Sequence, residues 1–137
     1  MIEFNYETDF NLEDEDKTRN WISSCLDEYG FTEGEINYIF CDDEYLLKLN
    51  VEFLEHDTLT DIISFDYTLG KLVSGDIFIS VERVRENAKN FSQTIENEIN
   101  RVLIHGILHY IGLKDKSDKE KTEMRKAEDE CLKMLTT

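Results

Sequence analysis

The pattern of apolar and polar positions divides the chain into up to nine predicted elements. Strict alternation predicts half-buried strands in MIEFNYE and in GEINYIFCD, where Ile36, Tyr38 and Phe40 share one face. Two short apolar runs, TDIISFDY and SGDIFISV, predict two more strands joined by the hairpin-like connection TLGKLV. The strands therefore fall into the first third and the middle of the chain.

Apolar residues at helical spacing predict helices in the remaining segments. These are DEDKTRNWISSCLDEYG, DDEYLLKLNVEFL, VERVRENAKNF, TIENEINRVLIHGILHYIG and SDKEKTEMRKAEDECLKML. The second helix has Tyr45, Leu46, Leu49 and Phe53 at helical spacing. The fourth becomes apolar nearly all round from Arg101 to Ile111, which predicts a central helix covered by sheet and by other helices. The sum is an α+β layer structure.

Length and composition favour one intracellular domain. The 137 residues suit a single core, and no apolar run approaches the roughly 20 residues of a membrane span. The first residues are acidic where a secretion signal would be basic. The three cysteines, Cys25, Cys41 and Cys131, are far apart and form no CxxC pair. We therefore expect a cytoplasmic protein with reduced thiols and no membrane partner.

The net charge of −16 is concentrated in the first half of the chain. Residues 1–60 contain 17 acidic and three basic residues, whereas residues 61–137 contain 14 acidic and 12 basic residues. Since the first half repels polyanions, a nucleic-acid partner would have to approach the second half.

Two of the three histidines, His105 and His109, lie four residues apart on the predicted central helix. Residues at this spacing share a helical face, so two imidazoles can chelate one metal ion. Burying two imidazoles without partners would cost a few kcal/mol, and a metal provides a partner for both. Gly106 occupies the position where HExxH metalloproteases carry their catalytic Glu, which disfavours that class.

A catalytic zinc site usually has three protein ligands, so a third ligand is expected. Gly112 can end the helix in the left-handed conformation and turn the chain back. Ser117 and Glu120 fit an S-x-x-E capping box for the last helix, and Asp118 then falls in its first turn. Asp115 is left as the obvious donor, with His56 and Asp118 as alternatives.

Three motifs resemble the YbeY family of bacterial endoribonucleases, the ribosomal RNA maturation factors. HGILHYIGLKDK resembles the family signature HGxLHLxGYDH, LNVEFLEHDTLTDIISFDY resembles LNxxYRxxDxxTDVLSFP, and SGDIFIS resembles LGDIxIS. The resemblance implies an α+β fold with a small mixed sheet around a central helix that carries one zinc ion. It also implies cleavage of single-stranded RNA in small-subunit ribosomal RNA maturation and ribosome quality control, with pre-ribosomal partners.

The family's first two metal ligands fall on His105 and His109, and its third histidine falls on Asp115. A carboxylate also ligates zinc, but its negative charge leaves the site less positive, so a bound water would be acidified less. Leu54 stands where the family usually has Arg, and His56 stands where it often has Lys. The SFDY stretch lacks the family's Pro.

The preferred interpretation is a single metal-dependent hydrolase domain over residues 1–137 that cleaves phosphodiesters. No general base can be named from the sequence. The expected substrate contacts are Thr60, Asp61, Ser64, Arg101 and Lys114. One alternative is a ribosome assembly factor without nuclease activity that binds the pre-ribosome and uses the metal structurally, since an acidic protein can bind basic ribosomal proteins. Another is a metal-dependent hydrolase of a different substrate.

Overall fold

The computed structural model of the chain describes residues 1–54 and 60–135, without the side chain of Leu54. Every predicted element is present in these ranges. The strands are β1 (Ile2–Tyr6), β2 (Thr32–Cys41), β3 (Ile62–Asp66) and β4 (Leu72–Ser80). The helices are α1 (Glu15–Glu28), α2 (Asp43–Leu54), α3 (Val81–Asn90), α4 (Ile95–Tyr110) and α5 (Asp118–Leu135). The described helices include none long and apolar enough to cross a membrane.

The four strands form one mixed sheet in the order β1-β2-β4-β3. Strand β2 pairs in parallel with both β1 and β4, and β3 pairs antiparallel with β4. The predicted hairpin-like connection between β3 and β4 is therefore confirmed, and Gly70 lies within it with a φ of 59°. The predicted α+β class with a small mixed sheet is also confirmed.

Helix α4 lies at the centre of the fold, as its apolar sequence predicts. It contacts α3, α5, β3 and β4, and Leu103, Ile104 and Leu108 are fully buried. The close packing of α4 on the sheet accounts for Gly106, because a Cβ atom at this position would lie 3.0 Å from Cδ1 of Ile77 on β4. The glycine lets the helix lie close to the sheet. This close packing fixes the positions of His105 and His109 on the same helix.

Hydroxyl groups also attach α4 to the sheet. The Tyr110 hydroxyl lies 3.0 and 3.1 Å from the carbonyl oxygens of Phe65 and Asp76 and shares its one hydrogen between them. Tyr38 on β2 donates to the carbonyl oxygen of Leu103 at 2.8 Å. Because these bonds lie in the interior, where water competes little, they fix the position of the helix along the sheet.

The apolar residues at helical spacing in α2 are not all buried. Leu46 is buried, but Tyr45 and Phe53 are exposed. The reason is that α2 packs on the opposite face of the sheet from α4, in a small cluster with Cys41 and Ile63. The larger cluster, on the α4 face, contains the predicted inward residues of α1 and β2. Helical spacing alone does not reveal that one sheet face is only partly covered.

Candidate metal centre

The last two turns of α4 place both histidines at one point of its surface. His105 and His109 lie one turn apart, and their Nε2 atoms are 3.0 Å from each other. Both side chains are partly exposed, whereas the residues between them are buried against the sheet. The helical spacing therefore brings the two nitrogens together at the protein surface, as expected.

The chain reverses after α4 and brings a carboxylate to the same point. Gly112 has a φ of 109°, the left-handed conformation that ends the helix. The amide nitrogen of Leu113 then donates to the carbonyl oxygen of Leu108 at 3.0 Å. In the loop that follows, Oδ2 of Asp115 lies 3.3 Å from His105 Nε2 and 3.5 Å from His109 Nε2.

The predicted capping box fixes the far end of this loop. The amide nitrogen of Ser117 donates to Glu120 Oε1 at 2.9 Å, and the amide nitrogen of Glu120 donates to Ser117 Oγ at 3.1 Å. The alternative donor Asp118 lies in the first turn of α5 and is exposed. The alternative donor His56 lies outside the described residues.

The three donors His105, His109 and Asp115 suit a small divalent cation. They are the one group of at least three candidate metal ligands among residues 1–54 and 60–135. Zinc ligands at about 2.0–2.1 Å in tetrahedral geometry lie about 3.3 Å apart. The observed separations of 3.0, 3.3 and 3.5 Å fit this spacing. Two nitrogens and one carboxylate oxygen also form a known catalytic zinc donor set.

The other ring nitrogens of the two histidines are held by acceptors. His105 Nδ1 lies 2.7 Å from Glu128 Oε2, and His109 Nδ1 lies 3.0 Å from the carbonyl oxygen of Leu113. In the neutral imidazoles each Nδ1 then carries the hydrogen, so each Nε2 has a free lone pair. Two such lone pairs 3.0 Å apart repel unless a cation lies between them, and metal-ligating histidines commonly have this outer support.

Glu128 is a functional residue that the sequence analysis missed. It lies on α5 and is only 5% exposed. Its Oε2 accepts from His105, and its Oε1 accepts from Nη1 of Arg101 at 2.8 Å. The available signal was its position directly after Ala127, within the buried stripe of an otherwise charged helix. A carboxylate at such a position needs a partner, and here it has two.

The pKa of His105 is raised above its ordinary value. Burial alone lowers this pKa, but the hydrogen bond to Glu128 and the charges of Glu128, Asp115 and Asp61 raise it by more. The site therefore favours a positive charge, which a proton supplies when no metal is bound. A metal must displace that proton, so binding depends on pH.

We expect the metal-free chain to lose stability as the pH rises through the folded pKa of His105. Because this pKa is raised on folding, its stabilising contribution is fully present below the unfolded value of about 6.5 and disappears above the folded value. Urea unfolding with a chelator present, repeated across this pH range, measures the effect. A His105→Asn variant should not show this loss of stability with rising pH. An equal pH dependence in that variant would assign the effect to other groups.

Two cavities meet at His105. The first, of about 180 Å³, is lined by His105 together with Asp61, Asn87, Phe91, Glu98, Arg125 and Glu128 among others. The second, of about 330 Å³, is lined by His105, Asp115, Lys121, Met124, Arg125 and Glu128. Since they share three lining residues, we treat the two cavities as one metal-centre groove. Two other cavities, of about 450 and 490 Å³, share no lining residue with it.

Asp61 lines this groove and is, with Arg101, one of two predicted substrate contacts that do so. Its Oδ2 accepts a hydrogen bond from Asn87 Nδ2 at 3.5 Å. Burial raises the pKa of this carboxyl group, and the charge of Glu128 raises it further. A carboxyl with a raised pKa beside a metal centre is a candidate for proton exchange.

The other predicted contacts have different surroundings. Thr60 donates to the carbonyl oxygen of Ile62 at 3.4 Å, a contact within its own turn. Ser64 is paired with Ile77 in the sheet, on the side that faces α4. Lys114 is exposed in the loop before Asp115. Their role in substrate binding stays a prediction.

The guanidinium of Arg101 forms ion pairs with two carboxylates. It is 15% exposed, and its two terminal nitrogens lie 2.8 Å from Glu128 Oε1 and Asp129 Oδ1. This arrangement supports Glu128, which in turn orients His105. Direct contact of Arg101 with a substrate also stays a prediction.

Known proteins resemble both the sequence and the fold. A family model described as Endoribonuclease YbeY matches residues 2–136. Endoribonuclease YbeY of Flavobacterium johnsoniae is 61% identical over 135 residues, which cover 98% of this chain and 97% of that protein. The protein of the same name from Flavobacterium psychrophilum is 58% identical over 135 residues, covering 98% and 96%. The solution structure of TM1509 from Thermotoga maritima has a TM-score of 0.71 and 25% identity, covering 98% of this chain and 89% of that one.

The fold and the donor cluster define an α+β protein with a candidate metal centre on its central helix. The chain belongs to the YbeY endoribonuclease family. The resemblance that the three motifs predict is therefore confirmed, and membership supports a nuclease, a hydrolase of phosphodiester bonds.

Proposed function

We propose that the chain is a zinc-dependent endoribonuclease that cleaves single-stranded RNA. The observation that carries the proposal is the convergence of His105 Nε2, His109 Nε2 and Asp115 Oδ2 within 3.5 Å of one another. Acceptors hold the Nδ1 atoms of both histidines, and His105 lines the metal-centre groove. We further propose that the RNA is that of the small ribosomal subunit, with roles in its maturation and in ribosome quality control.

In this proposal, His105, His109 and Asp115 hold one Zn²⁺. When bound, zinc supplies a Lewis acid that polarises a phosphoryl oxygen and makes a water molecule more acidic. Glu128 holds His105 in the required tautomer, and the carbonyl oxygen of Leu113 does the same for His109.

Asp61 is the proposed general base. Its carboxylate lines the same cavity as His105 and accepts a proton from the attacking water. Asn87 donates to one of its oxygens and so orients the carboxylate. Leu54 does not supply the positive charge of the family's arginine, so another cation of the groove must face the phosphate.

The direct test combines metal analysis with RNA cleavage by the purified chain. We expect about one zinc per chain by elemental analysis, in line with three protein ligands at one site. A labelled single-stranded RNA should be cleaved, the same strand in a duplex should resist, and a chelator should stop the reaction. Bound zinc without cleavage of any RNA would contradict the nuclease proposal and favour the assembly-factor alternative.

A further inference from the structure

The metal-centre groove contains an exposed aromatic ring. Phe91 is 64% exposed and lines the cavity that His105 also lines. Isolated exposed aromatic residues are common on protein surfaces. An exposed ring in a polar groove beside a nuclease's metal donors has a specific use, since aromatic faces stack on unpaired bases.

The backbone holds Phe91 firmly at the end of α3. Its amide nitrogen donates to the carbonyl oxygen of Asn87 at 2.9 Å. Ser92 then adopts the left-handed conformation with a φ of 54°, and Gln93 N donates to the carbonyl oxygen of Ala88 at 2.8 Å. These bonds close the helix end and define the backbone of the turn that carries the ring.

Arg125 is the cation best placed to meet a phosphate in the groove. It lines both cavities and lies one turn before Glu128 on α5. Within the described ranges Arg125 makes no ion pair, whereas Arg101 has a carboxylate on each side. The charge of Arg125 acts on Glu98 of the same cavity. A guanidinium that is not held in an ion pair can bind a phosphate with two parallel hydrogen bonds. Lys121, one turn earlier on the same helix face, adds a second positive charge beside the second cavity.

Two acidic residues of the groove, Glu98 and Glu128, have cationic neighbours. Glu128 is paired with Arg101 and His105. Burial raises the pKa of Glu98, and the charges of Arg101 and Arg125 act in the opposite direction and lower it. The groove also belongs to the second half of the chain, where acidic and basic residues nearly balance.

We propose that Phe91 and Arg125 form the nucleotide-binding subsite of the metal-centre groove, in which Phe91 stacks on an unpaired base and Arg125 binds a backbone phosphate. This inference rests on the proposed RNA-cleaving function. It gives that function a physical basis for selecting single strands, because the bases of a duplex are already stacked and paired. It also supplies a cation in place of the family arginine that Leu54 replaces. Stacking tolerates any base, so the subsite selects strandedness rather than sequence.

The stacking step is tested with Phe91→Leu and Phe91→Trp. We expect Phe91→Leu to weaken binding of a short fluorescein-labelled single-stranded RNA by roughly 5-fold or more, measured by anisotropy on chelator-treated protein. With zinc restored, the same variant should raise KM for cleavage while kcat changes little. Phe91→Trp should retain binding. The matched control is Ile95→Ala, which removes another exposed apolar side chain that lines neither groove cavity.

The phosphate step is tested with Arg125→Gln and Arg125→Lys. Arg125→Gln should reduce the slope of log Kd against log salt by about 0.7, the value of one single-strand phosphate contact. Arg125→Lys should restore the slope, and Lys126→Gln, an exposed neighbour that lines neither cavity, should leave it unchanged.

The outcomes separate this inference from the function on which it rests. If the wild-type chain binds and cleaves single-stranded RNA while Phe91→Leu and Arg125→Gln behave like their controls, the subsite is wrong and the function stands. If the wild-type chain neither binds nor cleaves RNA, the proposed function fails and the subsite fails with it. Weaker binding in both variants, with rescue by Phe91→Trp and Arg125→Lys, supports the subsite.

Discussion

Replacing Asp115 with alanine is expected to release the metal and to lower RNA cleavage by more than about 100-fold. Loss of a residue that merely supports a ligand typically costs about 10–100-fold in metal affinity or activity, and loss of a ligand should exceed that. Asp115 is partly exposed in a loop, and its carboxylate lies beside the two histidines. Its removal should therefore leave the fold intact. Elemental analysis of the purified variant and a cleavage assay at saturating zinc measure the two effects.

Two further variants make this prediction specific. His109→Ala removes a second donor and should also lose the metal. Asp118→Ala removes the exposed carboxylate that the sequence leaves as an alternative third ligand, and it should keep one zinc per chain. If Asp115→Ala keeps its zinc while Asp118→Ala or a His56 variant loses it, the third ligand is not Asp115.

The approach of Asp115 to the histidines could be anticipated from local rules of helix termination. A glycine that ends α4 and a capping box that starts α5 leave only four residues, 113–116, to connect them, and Asp115 is the one acidic residue among these. The histidine pair itself follows from the helical period. Such features depend on short stretches of sequence, so periodicity and capping chemistry are sufficient to predict them.

The surroundings of the donors could not be predicted in this way. Glu128 reaches His105 across 23 positions of sequence, and Phe91 joins the same groove from the end of a different helix. Nothing in either local pattern distinguishes these residues from the many other acids and aromatics of the chain. The exposed Tyr45 and Phe53 of α2 show the same limit, because burial depends on which sheet face is covered. Contacts of this kind require the packing of α3, α4 and α5.

The second large effect is expected from substitution of Glu128. Glu128→Gln should weaken zinc binding by about 10–100-fold. The glutamine keeps the volume of the side chain but removes its charge. Its amide can no longer act as a charged acceptor for both His105 Nδ1 and Arg101 Nη1. The His105 imidazole then loses part of its orientation and basicity. Competition against a zinc-chelating dye measures the affinity, and NMR titration of the metal-free variant should show a lower His105 pKa.

Glu128→Ala should go further and destabilise the fold by about 3–5 kcal/mol, since it leaves the mostly buried Arg101 without one of its two carboxylates. Asp129→Asn is the matched control, because Asp129 binds the other nitrogen of Arg101 but is 51% exposed and is not hydrogen-bonded to His105. That variant should change stability by less than about 1 kcal/mol and leave zinc affinity unaltered. Equal losses of zinc affinity in Glu128→Gln and Asp129→Asn would mean that Arg101, rather than the bond from Glu128 to His105, controls the centre. A loss confined to the Glu128 variants would establish that a residue on α5, remote in sequence, sets the metal affinity of the histidine pair on α4.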